Sequence, residues 1–511
     1  MTQHIFRTHG SITQKNLTAV LGGRYSMTEP ESSGQTERYF DTFDLRLYKG
    51  GYISLVRNGR FSLFSRDDGA EECGMPAEAD TPPRFRDYYP PGKVREILAD
   101  LIDVRALMPL IAVREGKERL EVQNGEGKSI AHMTVIRRKL VSKGGREKDI
   151  DPVIALTPLR GFEGETEELA ASFRQSMAQV NHDDLFRELI SHAEYVEDVT
   201  RGGYPPFIEP TWSSCHAVKV ILENLLNKSK EQERGIIDDI DTEFLHDFRV
   251  SIRRARVAVG QCREIFIPEK YEALQEALKS VHRATGPLRD IDVMLMDEPY
   301  YHSLVPEQLS EGLNIFFNYI RTLREEEHRK LVEFIASEEY AERIALGSAF
   351  CTSPVQETCK PETVPIIRTA AAVILRRFKK LRKRIDKLLK GTETIHEVRI
   401  DCKKLRYLLE FFSQLFPGQK VKKTIKKLKK FQNSLGDLHD VKVQQQILME
   451  SLDRMQHSEY ASAEANAAIG GIVTVLSSKE REIEGTLHTF LEEYRDSIKG
   501  KSMKQIFSYR L

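Results

Sequence analysis

Within one short stretch, His246-Asp-Phe-Arg249-Val-Ser-Ile-Arg253-Arg254-Ala-Arg256, a histidine and four arginines surround a single acid, Asp247. Arginine presents a planar fork of donors that stays charged, and a hydrogen bond to a charged group is worth ~1.5–3 kcal/mol. A row of such forks suits phosphate oxygens, which are recognised by charge and geometry. The histidine adds one donor when neutral and two when charged, so anion binding is expected to strengthen below about pH 6.5. Cations packed this closely disfavour a metal at the histidine. The same pattern recurs 150 residues later as His396-Glu-Val-Arg399-Ile-Asp-Cys-Lys403-Lys404-Leu-Arg406.

Helices must position both stretches. At about 100° per residue, Arg249, Arg253 and Arg256 fall within about 80° to one side of His246, and Arg254 about 80° to the other. Phe248, Ile252, Ala255 and Val259 take the opposite face, so each helix has an apolar side for a core and a cationic side. A second pair of segments keeps the same offset: LKSVHRATGPLRDIDV from Leu278 and LKKFQNSLGDLHDVKV from Leu428. This aligns Gly286 with Gly436, Leu288 with Leu438, and Asp290 with Asp440. Two matches at one offset make an internal duplication. Gly286 and Gly436 are expected to end helices at positive φ. Asp290 and Asp440 are expected to pair with an arginine or to cap a helix start.

Around the second copy the positive charge grows. Arg376, Lys380, Lys383, Lys387 and Lys390 fall within about 40° of one helical line. Lys279 and Lys429 extend the cationic set, as do Arg289 before Asp290 and His439 before Asp440. From Ile366 to Lys442 there are 22 Lys and Arg against 7 Asp and Glu. Over all 511 residues the two classes balance at 77 each, so a basic patch sits on a neutral body and can focus anions. The ligand is therefore expected to lie asymmetrically, held more by Arg399, Lys403 and Arg406 than by Arg249, Arg253 and Arg256. Nucleic acid is the rival polyanion. It would call for aromatic platforms or base-reading Asn and Gln, which the basic stripes almost lack.

The rest of the chain supplies the frame. Residues 1–200 read as antiparallel strands: a hairpin turning at Asn58-Gly59, another through Asn124 to Gly127, and a strand at Val153 to Leu156. Helices are expected at Val94 to Leu101 and Glu165 to Val180. Arg201-Gly-Gly-Tyr-Pro-Pro-Phe-Ile-Glu-Pro210 is a boundary by its Gly and Pro density. Residues 211–500 then read as helical: repeat one at 211–345, a linker at 346–364, repeat two at 365–500. Val305 to Ala345 reads as one helix, Gln419 to Leu435 and Asp437 to Gln456 as two, and Lys499 to Leu511 as a basic tail. The fold class is thus an α+β N-terminal antiparallel barrel-like domain followed by all-α tandem helical bundles with internal twofold pseudo-symmetry. Six cysteines without C-x-x-C spacing suit a reducing cytoplasm, with Cys262 and Cys402 buried as small apolar residues. The start lacks a signal pattern, and no apolar run approaches ~18 residues, so no membrane partner is expected.

The doubled His-x-x-Arg helix with its basic residues and following G-x-L-x-D resembles the CHAD family, the conserved histidine α-helical domain. The resemblance covers roughly residues 211–500. It implies two helical bundles in pseudo-twofold array around a basic groove or pore, with inorganic polyphosphate as ligand. Carried over by position, the binding residues are His246, Arg249, Arg253, Arg254 and Arg256, with His396, Arg399, Lys403, Lys404 and Arg406. YFDTFDLRLYKGGYISLVR, ending at Arg57, and LTPLRGFE, ending at Glu163, are similar to the CYTH, or triphosphate tunnel, family. A CYTH-like domain ahead of CHAD is an architecture known in that family. Catalytic CYTH members bind magnesium or manganese through an opening E-x-E-x-K strand, and here the first acid is Glu29. The expectation is a degenerate CYTH-like domain with neither metal nor cofactor, in which Arg57 and Arg114 are candidate tunnel cations. The chain is expected to bind polyphosphate without catalysis, on polyphosphate granules. The rival is a metal-dependent tripolyphosphatase at residues 1–200 aided by the basic bundles.

Overall fold

The computed structural model describes residues 3–8, 10, 12–142, 144–192, 205–361, 364–497 and 500–507. The chain divides into two compact units, Met1–Arg201 and Gly202–Leu511.

The first unit is built on ten strands: β1 (His4–Arg7), β2 (Ser26–Met27), β3 (Glu31–Asp41), β4 (Tyr52–Arg57), β5 (Arg60–Ser65), β6 (Glu71–Pro76), β7 (Met108–Gln123), β8 (Ser129–Val141), β9 (Glu147–Pro158) and β10 (Ala178–Val180). They form one antiparallel sheet in the order β10-β1-β9-β8-β7-β3-β4-β5-β6, with β2 beside β7. Asn58 and Gly59 both have positive φ, 52° and 70°, as a two-residue hairpin turn requires, and Arg57 pairs with Arg60 across it. Five helices accompany the sheet: α1 (Gln14–Leu21), α2 (Arg46–Lys49), α3 (Lys93–Leu101), α4 (Glu163–Arg174) and α5 (His182–Ile190). The helix expected at Glu165 to Val180 stops at Arg174, because Ala178–Val180 pairs with the edge of β1 instead. Asp41 explains part of the tunnel-family signature. Its buried carboxylate accepts the backbone N–H groups of Thr42, Leu47 and Tyr48, which fixes the turn into α2. Burial raises its pKa to about 7 even with those bonds. The architecture is compatible with a CYTH-like barrel, although among the described residues the edge strands β10 and β6 do not pair.

The second unit is all helical: α6 (Ser214–Ile237), α7 (Thr242–Gln261), α8 (Pro268–Ala284), α9 (Gly286–Met296), α10 (Glu298–Leu304), α11 (Ser310–Ile335), α12 (Glu338–Thr352), α13 (Val355–Thr358), α14 (Ile366–Leu389), α15 (Ile395–Phe411), α16 (Gly418–Gln456), α17 (Ala463–Ser497) and α18 (Gly500–Phe507). Helices α6, α7, α8 and α12 pack as one bundle, and α14, α15, α16 and α17 as its counterpart. The repeats share a core in which Phe316, Phe317 and Ile320 of α11 meet Leu448 of α16 and Ile469 and Ile472 of α17. At Gly312 a Cβ would come within 2.1 Å of the Glu464 carbonyl oxygen, so α11 and α17 cross there in backbone contact.

Several expected boundaries are corrected. Gln419 to Gln456 is one helix, α16, whereas repeat one breaks between α8 and α9. Pro287 has no N–H to continue α8, and Asp437 at the equivalent position does. Neither Gly286 nor Gly436 has positive φ. The stretch Val305 to Ala345 is divided at Ser337, whose side chain caps α12 by accepting from Tyr340 N. The expected linker 346–364 holds the end of α12 and all of α13, and is fixed by a Cys215–Cys359 disulfide. That bridge departs from the reading of the six cysteines as suited to a reducing compartment, while Cys262 and Cys402 are free and buried as expected. The expected basic tail is helix α18 over residues 500–507, and its remaining residues lie outside the described set. Among the described residues no helix is long and apolar enough to cross a membrane.

Candidate functional site

Helices α7 and α15 begin alike. Asp241 caps α7 by accepting from Glu243 N, and Thr394 caps α15 by accepting from Glu397 N. Their burial repeats residue for residue from 251–260 to 401–410. Phe248, Ile252 and Ala255 are buried in one, Val398, Cys402 and Leu405 in the other. The basic residues of both stay half-buried at the rim of the core. Short turns of 3-10 helix follow at Arg263–Ile265 and Ser413–Leu415, again 150 residues apart. Repeat two adds a buried brace: Asp401, 1% exposed, receives Arg377 and Arg384 from α14.

The first arginine of each stripe is anchored to the next helix. Arg249 donates to the His282 carbonyl at 3.0 Å and to Thr285 Oγ1 at 2.9 Å. Arg399 donates to Asp440 Oδ1 at 2.8 Å. Each guanidinium faces the aligned glycine: a Cβ would stand 3.6 Å from Arg249 at Gly286 and 3.9 Å from Arg399 at Gly436.

The two stripes meet because α7 packs on α15. Arg253 donates to Tyr407 OH at 3.1 Å, and Arg254 to Glu410 at 2.9 Å. Arg254 and Arg406 each lie 5.3 Å from the Tyr407 ring centroid, and both approach Glu410. Tyr407 is buried, but it also separates two cations from different repeats. Lys403 stands in the combined field. Burial, then Arg399 and Arg253, lower its pKa to about 8, with Arg406 adding to the effect and Asp440 opposing it.

Two contributors escaped the sequence reading, His282 and its counterpart Gln432. The Nε2 of His282 and the Oε1 of Gln432 are solvent-excluded and have no hydrogen-bond partner. Arg256 Nε and Arg406 Nε, another equivalent pair, are in the same condition, with Glu410 3.5 Å from the latter. Burial, followed by Arg249, Arg256 and Arg253, pushes the His282 pKa down to about 3, so the imidazole is neutral. The aligned segments already placed His282 opposite Gln432; only their dissimilar chemistry concealed the pair.

Other expected residues lie elsewhere or are engaged. Arg289 is tied to Glu243 and the Thr242 carbonyl at the start of α7. Arg376 pairs with Glu264 beyond the end of α7, and Lys279 pairs with Glu276 on its own helix. Lys404 faces α14, where Arg377 and Lys380 join burial in lowering its pKa. Lys383 and Lys429 are exposed. His246 is half-buried and His396 exposed at the helix starts, whereas the His439 side chain lies outside the described residues. In the first unit Arg57 lines a cavity of about 300 Å³ and binds Glu37 at 3.1 Å. Arg114 instead pairs with Glu147 at a different pocket.

The family model for the CHAD domain matches residues 220–449. The crystal structure of the CHAD domain from the plant Ricinus communis is similar at 20% identity, covering 58% of this chain and 99% of that one, with a TM-score of 0.47. PptA from Streptomyces chartreusis is similar at 10% identity, covering 56% of this chain and all of that one, with a TM-score of 0.42. No curated protein matches. The helical unit of this chain therefore carries a CHAD domain at residues 220–449.

Proposed function

We propose that the helical unit binds inorganic polyphosphate, without catalysis, in the seam where α7 and α15 meet. The observation that carries this reading is the cation set around Lys403. Arg253 of one repeat and Arg399 and Arg406 of the other all bear on one ammonium, and Asp440 is the acid opposing them. A chain of phosphates carries about one negative charge per internal phosphate and would relieve that repulsion along its length. The seam is poor in aromatic platforms, since Tyr407 is enclosed by arginines, which disfavours nucleic acid. Association with polyphosphate granules follows from the same affinity.

The test is titration of polyphosphate and RNA in parallel at several salt concentrations. Replacing Arg253 and Arg399 together by Ala removes two charge-assisted contacts, about 3 kcal/mol or more, so polyphosphate affinity should fall at least ~100-fold. Unchanged affinity would remove the seam from the account. RNA competing equally at matched charge would favour the nucleic-acid reading.

The rival tripolyphosphatase reading rests on the cavity of the first unit. Glu37 and Glu115 face it, but Lys117 lies 3.8 Å from the first and 2.9 Å from the second, and Arg57 also holds Glu37. Strand β1 contributes no carboxylate. A hard divalent cation needs several oxygen ligands, and these two occupied carboxylates do not fit one. Metal-dependent phosphate release from tripolyphosphate by the full chain, lost on Glu37→Gln, would support the enzyme.

A further inference from the structure

Beyond the seam, the two repeats differ along one line. On α16, Gly436 and Asp440 approach Arg399, and Gln432 lies one turn before Gly436 on the same side of the helix. At about 100° per residue, Lys429, Lys426 and Lys422 continue that side toward the start of the helix. All three are exposed, and among the described residues none has an ion-pair partner. The equivalent line on α8 runs from His282 through Lys279 to Glu276 and Glu272. There Glu276 holds Lys279 at 3.1 Å and Arg283 at 3.6 Å, and its charge also acts on Arg256. One repeat thus prolongs the cationic surface over about two helical turns, while the other closes it with acids. Both lines lie on one face of a helix, next to the orphaned buried atoms of His282 and Gln432. An anion long enough to outrun the seam meets attraction along α16 and repulsion along α8.

We propose that a polyphosphate chain seated in the seam leaves it along α16, over Lys429, Lys426 and Lys422, and is turned away from α8 by Glu276 and Glu272. The proposal rests on the polyphosphate reading and adds a length preference and a direction to it. Lysine suits this role better than arginine. Its point charge holds a sliding chain without fixing register, whereas the forks in the seam fix position. The site therefore has a short, geometrically defined part and an extension that is electrostatic only.

The experiment uses the full chain and polyphosphates of two sizes, one no longer than the seam and one several times longer. Two variants are compared with the wild type over a salt series: K422Q/K426Q/K429Q, and E272K/E276K. Exposed Lys→Gln changes keep helix propensity nearly constant, and circular dichroism checks the fold of each variant. For the long chain the lysine variant should lower the slope of log affinity against log salt by about two to three, near one counterion per lost charge. Its affinity for the short chain should stay within about twofold, below the tenfold that ~1.4 kcal/mol would produce. The E272K/E276K variant should steepen the slope for the long chain, because it opens the second exit. An unchanged long-chain slope in the lysine variant, or equal losses for both lengths, would overturn the exit. If the wild type binds neither length, the polyphosphate reading fails with it; if it binds both equally and the variants change nothing, only the exit fails.

Discussion

Lys403 offers a prediction in which stability and function change in opposite directions. Its pKa falls from 10.5 to about 8, chiefly through burial and then through Arg399 and Arg253, which corresponds to about 3 kcal/mol of charging cost in the fold. The side chain is only partly buried, so solvent screening reduces the realised penalty to about 1–2 kcal/mol. Lys403→Met keeps an apolar stem of similar reach and removes the charge. It should therefore stabilise the ligand-free protein by about 1–2 kcal/mol near pH 7, while weakening polyphosphate binding about tenfold or more. The sign follows from linkage. A lysine whose folded pKa is depressed carries its full penalty below about pH 8, and the penalty is relieved as pH rises toward 10.5. The stability gap between variant and wild type should thus be largest at pH 7 and should close by about pH 10.5. Urea unfolding followed by far-ultraviolet circular dichroism across that range measures it. A variant that is less stable than wild type at pH 7, or a gap independent of pH, would refute the electrostatic reasoning.

Other expectations concern neighbours of the seam. Glu410→Gln releases Arg254 and Arg406 from their internal acid and should tighten polyphosphate binding several-fold, as read by calorimetry. His282 is held neutral by burial and three arginines, with a pKa near 3. Its contribution to stability is lost as pH falls from about 6.5 toward 3, so His282→Gln, which copies Gln432, should flatten the acid limb of stability against pH. Asp401→Asn leaves Arg377 and Arg384 facing a neutral amide and should cost about 3 kcal/mol in urea unfolding. Cys215→Ser opens a covalent loop spanning 144 residues and should cost about 2–4 kcal/mol, an effect that reductant should reproduce in the wild type.

Much of the site was legible because duplication doubled each signal. The stripe on α7 alone is an amphipathic helix; its copy on α15 makes the pattern hard to attribute to a solvated surface. The glycine alignment was also legible, but its cause was not. Gly286 and Gly436 suggested helix ends, yet neither has positive φ, and each instead lies at contact distance from a guanidinium of another helix, which nothing in the local sequence encodes. Pro287 did encode the break between α8 and α9, and Asp437 its absence in α16. Other features depend on pairings between distant segments. Glu243 and Glu264 engage Arg289 and Arg376, both of which looked like ligand contacts when read along their own helices. Cys215 and Cys359 are too far apart in sequence for spacing to reveal their bridge. The β10 edge strand, read as the end of a helix, exists because β1 has an open side there.

If the two repeats form one site rather than two, they take up a single ligand together. Calorimetric titration of the full chain with a short polyphosphate tests it, using the wild type, Arg253→Gln and Lys403→Gln. These residues occupy equivalent positions, and Arg253 is among the charges that depress Lys403. One short chain should bind per protein, with either substitution weakening that single event while its stoichiometry stays at one. Two binding events in the wild type, with each substitution abolishing one and sparing the other, would contradict it.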